Sequence, residues 1–217
     1  MNKYENEIIM VLGHRGSGKS TWLTKNLNSF KPFLLVDPLN DPRFIPLNLY
    51  RIETKEEAEK IIVVGNPYRL VASPPVLTTD NTVFVFDYLI GLCLVKGGIT
   101  VVIDEIDSYT HANFTSKNMF QLLNYGRHRQ CNIVMVARRL KAINPTLRGQ
   151  VTRYIIFPMS GEDILQMRDI VNTDTIDKIQ KLKAQRGVWT EYIDFNFHSR
   201  NSEIKTLNYS LDTTSEE

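Results

Sequence analysis

What this chain lacks sets its first limits. Only two cysteines occur in 217 residues. Cys93 and Cys131 sit in apolar stretches, without C-x-x-C or zinc-ligand spacing, so they read as reduced, buried thiols of a cytosolic protein and exclude a disulfide framework. Long hydrophobic runs are missing too. The longest, Val83–Val95, is broken by Asp87 and is too short to cross ~30 Å of hydrocarbon, which argues against a membrane partner. Met1–Glu7 is polar, unlike a signal peptide. A net charge of +2 excludes a global polycation. No repeat or low-complexity linker appears, and only the acidic tail 212–217 reads as disordered. What remains is 42% hydrophobic. That suits one globular domain, spanning 1–211, able to bury ~70% of its unfolded surface.

The most informative feature that is present lies at residues 8–20, an apolar strand running into Gly13-His14-Arg15-Gly16-Ser17-Gly18-Lys19-Ser20. This is the G-x-x-x-x-G-K-S phosphate loop. Glycines let the backbone turn off the strand so that consecutive N–H groups, from His14 to Thr21, can surround a triphosphate. The helix that follows adds its N-terminal dipole. Lys19 is expected on the β- and γ-phosphates, Ser20 on Mg²⁺ and Thr21 on the α-phosphate.

Strands alternate with helices along the chain. Strands are expected at 7–12, 33–36, 68–72, 99–103, 132–137 and 152–157, as continuous apolar runs covered on both faces. Helices are expected at 18–29, 54–62, 80–96, 115–126, 161–171 and 173–184. After Gly187 the pattern becomes short β segments, at 188–192, 195–198 and 203–209. The fold expected is a three-layer α/β P-loop NTPase with a mostly parallel sheet. Its core spans 7–171, and an antiparallel extension spans 187–211.

Ile99–Ile103 is a second buried-strand run, and it ends in Asp104-Glu105. Alone, such a pair is a turn or a cap. Beside a phosphate loop, Asp104 can support Mg²⁺ and Glu105 can activate the attacking water. The water-activating glutamate favours ATP hydrolysis over phosphate transfer to an acceptor. Asp107 is expected to face solvent or cap a turn. Asp37 is either a turn former or a neighbour of the site.

Arg127, Arg129, Arg138, Arg139, Lys141, Arg148 and Arg153 follow with no acidic residue between Tyr125 and Arg153. Solvated ion pairs, an arginine donated to a neighbouring subunit's γ-phosphate, and contact with a nucleic-acid backbone are all open readings. Tyr125-Gly126-Arg127-His128-Arg129, the run 132–137 ending in Arg138-Arg139, and Ala142–Arg148 resemble the viral and phage DNA-packaging ATPases of the FtsK–HerA superfamily. These are RecA-like ring translocases, and the resemblance covers residues 8–171. It implies ATP and Mg²⁺ as cofactors, double-stranded DNA as partner, a homo-oligomeric ring, and a viral capsid or portal vertex. It also implies a place in the host-cell cytoplasm or with the virion. By the same resemblance Arg127 or Arg153 is the arginine acting in trans. Arg138 stands where many members carry Gln or Asn, so it can be a phosphate contact in place of a sensor. Loops expected to line a ring's centre carry Tyr109, His111, Phe114 and Lys117, then Arg138, Arg139, Lys141 and Arg148. Two alternatives stay open: a small kinase with an arginine lid, and a phage morphogenesis ATPase that remodels a protein partner.

Overall fold

The computed structural model describes residues 6–65, 69–74 and 82–209. Within them a ten-stranded sheet runs through the molecule. Its strands are β1 (Ile8–Leu12), β2 (Phe33–Val36), β3 (Tyr50–Ile52), β4 (Arg69–Ala72), β5 (Thr100–Ile103), β6 (Asn132–Ala137), β7 (Arg153–Ile156), β8 (Ala184–Gln185), β9 (Trp189–Asn196) and β10 (Ser202–Asn208). The order is β10-β9-β7-β1-β6-β5-β2-β4-β3, with β8 also on β9. From β7 to β3 every pairing is parallel. The pairings β7–β9, β9–β10 and β8–β9 are antiparallel. The parallel sheet and its antiparallel extension therefore match the expected architecture.

Continuous apolar runs form the central strands because both faces are covered. Met10, Leu34, Val101 and Met135 pack on one face beneath α3 (Thr82–Lys96) and α4 (Lys117–Tyr125). Val11, Leu35, Val102 and Val134 pack on the other, against Trp22 and Leu23 of α1 (Lys19–Asn26). Helix α2 (Lys55–Glu59) is capped by the Thr54 side chain, which accepts from the Glu57 N–H. The short α5 (Pro145–Gly149), α6 (Gly161–Met167) and α7 (Thr173–Lys181) complete the helices that matter here.

Several expectations need correction. The segments 188–192 and 195–198 are one continuous strand through Asn196. The helix expected at 173–184 ends at Lys181, and Ala184 opens β8. The strands β3 and β8 and the helix α5 stand outside the expected elements. The first residue of the 68–72 strand, the start of the 80–96 helix and the tail 212–217 lie outside the described residues.

Register decides where chemistry collects. Leu12 lies opposite Ala137 and Ile156, Val36 opposite Ile103, and Ile103 opposite Met135. Gly13, Asp37, Asp104, Arg138 and Phe157, each one residue further on, thus leave the sheet at one edge. This carboxyl edge is where open α/β sheets bind ligands.

Candidate active site

The loop after β1 has the backbone its glycines predict. Gly13 has φ +154°, and an added Cβ would lie 2.6 Å from Phe157 Cβ. Gly18 has φ +107° and begins α1, its carbonyl accepting from the Trp22 N–H at 2.9 Å. Neither conformation suits a side chain. Lys19 is buried, and its Nζ donates to the carbonyls of Gly13 (2.8 Å) and His14 (3.0 Å). Burial lowers its pKa to about 8, against the opposing pull of Glu105 and Asp104. The ammonium is short of negative partners, as a phosphate-binding cation should be.

Asp104 closes β5, and its N–H donates to the Val36 carbonyl at 3.0 Å. Burial, then the neighbouring charges of Glu105, Asp37 and Asp41, push its carboxyl up to about 6. Such crowded negative charge fits a divalent cation, and Ser20 lines the same cleft. Glu105 adopts φ +50°, a left-handed conformation that is strained for a glutamate. Strain of this kind collects at functional positions. Arg138 Nη2 and Nε both donate to Glu105 Oε1, at 2.9 and 3.2 Å.

One cleft of about 310 Å³ holds these groups together, joining Arg15, Gly16 and residues 18–21 of the phosphate loop with Asp104, Glu105 and Arg138. Leu39, Arg43 and Tyr209 line it as well, and sequence reasoning missed all three. Arg43 follows the Asp37-Pro38 turn, where buried Asp37 accepts from the N–H groups of Leu39 (3.2 Å) and Asp41 (2.7 Å). Asp37 is thus both a turn former and a neighbour of the site. Asp107 corrects the expectation of a solvent-facing carboxylate. Its Oδ1 is buried without a hydrogen-bond partner among the described residues, and burial and Glu105 raise its pKa.

The remaining arginines divide. Arg127 and Arg153 lie at the opposite edge of the sheet, since Arg153 is level with Ile9 at the start of β1 and Arg127 precedes β6. Neither can serve its own chain's cleft. Arg153, one candidate for the arginine acting in trans, is paired within its own chain. Its Nε and Nη2 each bind Asp194 at 2.7 Å, and its Nη1 binds Glu7 at 3.0 Å. Arg129 caps the end of α3 through the Leu94 and Val95 carbonyls. Arg127 is exposed and unpaired among the described residues.

Lys117, Arg139 and Lys141 are exposed, whereas the Arg148 Nε is buried and without a partner among the described residues and Arg138 is held by Glu105. Tyr109 is not an open stacking residue. It is buried and stacked on Phe86 with ring centroids 4.3 Å apart. Phe114 stays exposed on the short turn that pairs it with His111.

A glycine-rich strand-to-helix loop facing an acidic pair two strands away, on a mostly parallel sheet, defines a P-loop NTPase fold. Among solved structures, the chain is similar to the genome packaging NTPase B204 from Sulfolobus turreted icosahedral virus 2 in complex with AMP. The TM-score is 0.71 at 14% identity, covering 94% of this chain and 98% of that one. It is similar also to B204, the DNA-packaging ATPase from Sulfolobus turreted icosahedral virus, with a TM-score of 0.68 at 16% identity, covering 93% and 97%. EssC (ATPases 2 and 3) from Geobacillus thermodenitrificans gives 0.57 at 14% identity, covering 98% of this chain and 41% of that one. Residues 97–190 match the family model described as Poxvirus A32 protein. No curated protein matches by sequence. At these identities the resemblance to packaging ATPases is one of fold.

Proposed function

We propose that this protein is an Mg²⁺-dependent ATPase that drives double-stranded DNA into a viral capsid as part of a homo-oligomeric ring. It would work in the host-cell cytoplasm, at a capsid or portal vertex. The chain acts as one ATPase domain with its β extension. The observation that carries this reading is the meeting of Lys19, Asp104 and Glu105 in one cleft of a fold shared with genome-packaging NTPases.

Each residue has a task that its surroundings support. Lys19 exchanges two loop carbonyls for β- and γ-phosphate oxygens, regaining the negative partner that burial denies it. Backbone N–H groups from His14 to Thr21 surround the phosphates. Ser20 and Asp104 would hold Mg²⁺, which when bound neutralises phosphate charge. Arg138 fixes one carboxylate oxygen of Glu105 and leaves Oε2 to take a proton from the attacking water. Arg127, unpaired among the described residues and remote from its own cleft, is the better placed of the two candidates to reach a neighbour's γ-phosphate. Exposed Lys117, Arg139 and Lys141 provide backbone contacts to DNA.

The test is phosphate release from ATP with and without duplex DNA across a salt series. The reading predicts stimulation by DNA that falls steeply with salt, by ~0.9 in log–log slope per neutralised phosphate. An absence of stimulation at low salt would overturn the DNA-motor reading. A phosphorylated acceptor in place of free phosphate would make the protein a kinase.

A further inference from the structure

The antiparallel extension has no part in the chemistry above, yet its last described residue reaches the nucleotide cleft. Among the described residues, Tyr209 is the one aromatic side chain lining that cleft. Sheet order gives its position meaning. The phosphate loop rises from β1, and the acidic pair that marks the γ-phosphate end rises from β5, two strands to one side. On the other side of β1 come β7, β9 and β10. A triphosphate with its γ-phosphate at Glu105 therefore sends its nucleoside toward the extension.

The extension meets the loop directly. A Cβ on Gly18 would lie 2.8 Å from Thr190 Cγ2 and 2.9 Å from Tyr209 Oη. The ring is also fixed. The Tyr209 N–H donates to the Val188 carbonyl at 2.8 Å, just past the Asn208–Trp189 pair of β10 and β9. Its hydroxyl is hydrogen-bonded to Thr190, which is fully buried. The side chain is half-buried, so part of it stays open to a ligand.

We infer that Tyr209 forms the base-binding wall of the cleft, its ring packing against the nucleobase while the phosphate loop holds the triphosphate. This rests on the nucleotide reading above and adds the place where the nucleoside is held. Stacking on a ring face tolerates any base, so the wall supplies affinity with little purine selectivity.

Calorimetric titration of the full chain with ATPγS and, separately, with inorganic tripolyphosphate tests the inference. Tyr209→Ala should weaken ATPγS on the order of ten-fold, as loss of a base–aromatic stack does, and leave tripolyphosphate within about two-fold. Tyr209→Phe keeps the ring and should bind ATPγS nearly as the parent does. Unchanged ATPγS binding by Tyr209→Ala would overturn the inference. So would equal losses for both ligands, which would make Tyr209 a prop for the loop. If the parent chain bound neither ligand, the nucleotide reading would fall and this one with it.

Discussion

At Asp104 the residue's chemistry conflicts with the stability of the fold. Its carboxyl lies buried beside Glu105, Asp37 and Asp41, with a pKa raised to about 6 from an ordinary 3.8. A carboxyl that binds its proton more tightly folded than unfolded favours the fold below about pH 4. That advantage is lost as pH rises toward 6, and above it the buried charge is a constant burden. Asp104→Asn removes the charge. Thermal melts of the nucleotide-free protein should show the variant more stable at pH 7.5 by roughly 2–3 kcal/mol, with the gain vanishing near pH 4. Equal melting temperatures at pH 7.5 would contradict this account of the site. The phosphate loop was legible residue by residue because glycine spacing dictates backbone geometry. The strained φ of Glu105 and the orphaned oxygen of Asp107 were not, since both depend on what packs around them.

Among elements, the extension shows why its pattern misled. Asp194 falls in the gap between the expected segments 188–192 and 195–198, yet it lies within β9. There the register sets it opposite Ile155 of β7 and Glu203 of β10. Its charge is tolerated because Arg153 binds it through two nitrogens and Lys205 Nζ through a third contact at 2.6 Å. These cations hold its carboxyl below the usual range despite burial. Similarly, α5 was announced by Asn144-Pro145, a cap followed by proline at the first helical position, but the run was too short to stand out. Arg153 therefore pins the extension to the parallel sheet. Arg153→Ala should lower stability by about 1–3 kcal/mol in urea melts, because Asp194 loses a charged partner. Arg127→Ala should leave the melt unchanged and remove turnover. The opposite pattern would return the trans role to Arg153.

For the whole molecule, the order of strands is what turns scattered residues into a site. Lys19 and Glu105 stand 86 positions apart in the chain. The parallel register of β1, β6 and β5 delivers both to the same edge, and the antiparallel strands β9 and β10 bring Tyr209 to the far side of the loop. The alternation of strands and helices made the parallel part readable. The closing of the extension onto Gly18 was hidden, because a contact between residues 18 and 209 leaves no periodic trace.

The central claim is that the loop after β1 and the acidic pair after β5 act on a single Mg²⁺–triphosphate. Glu105→Gln tests it most directly, with ATPγS affinity and phosphate release from ATP measured on the same preparation. The account predicts parental affinity, since Lys19 and Asp104 are intact, with phosphate release reduced by at least ~10²-fold, the lower range for a lost general base. Hydrolysis at the parental rate would contradict it.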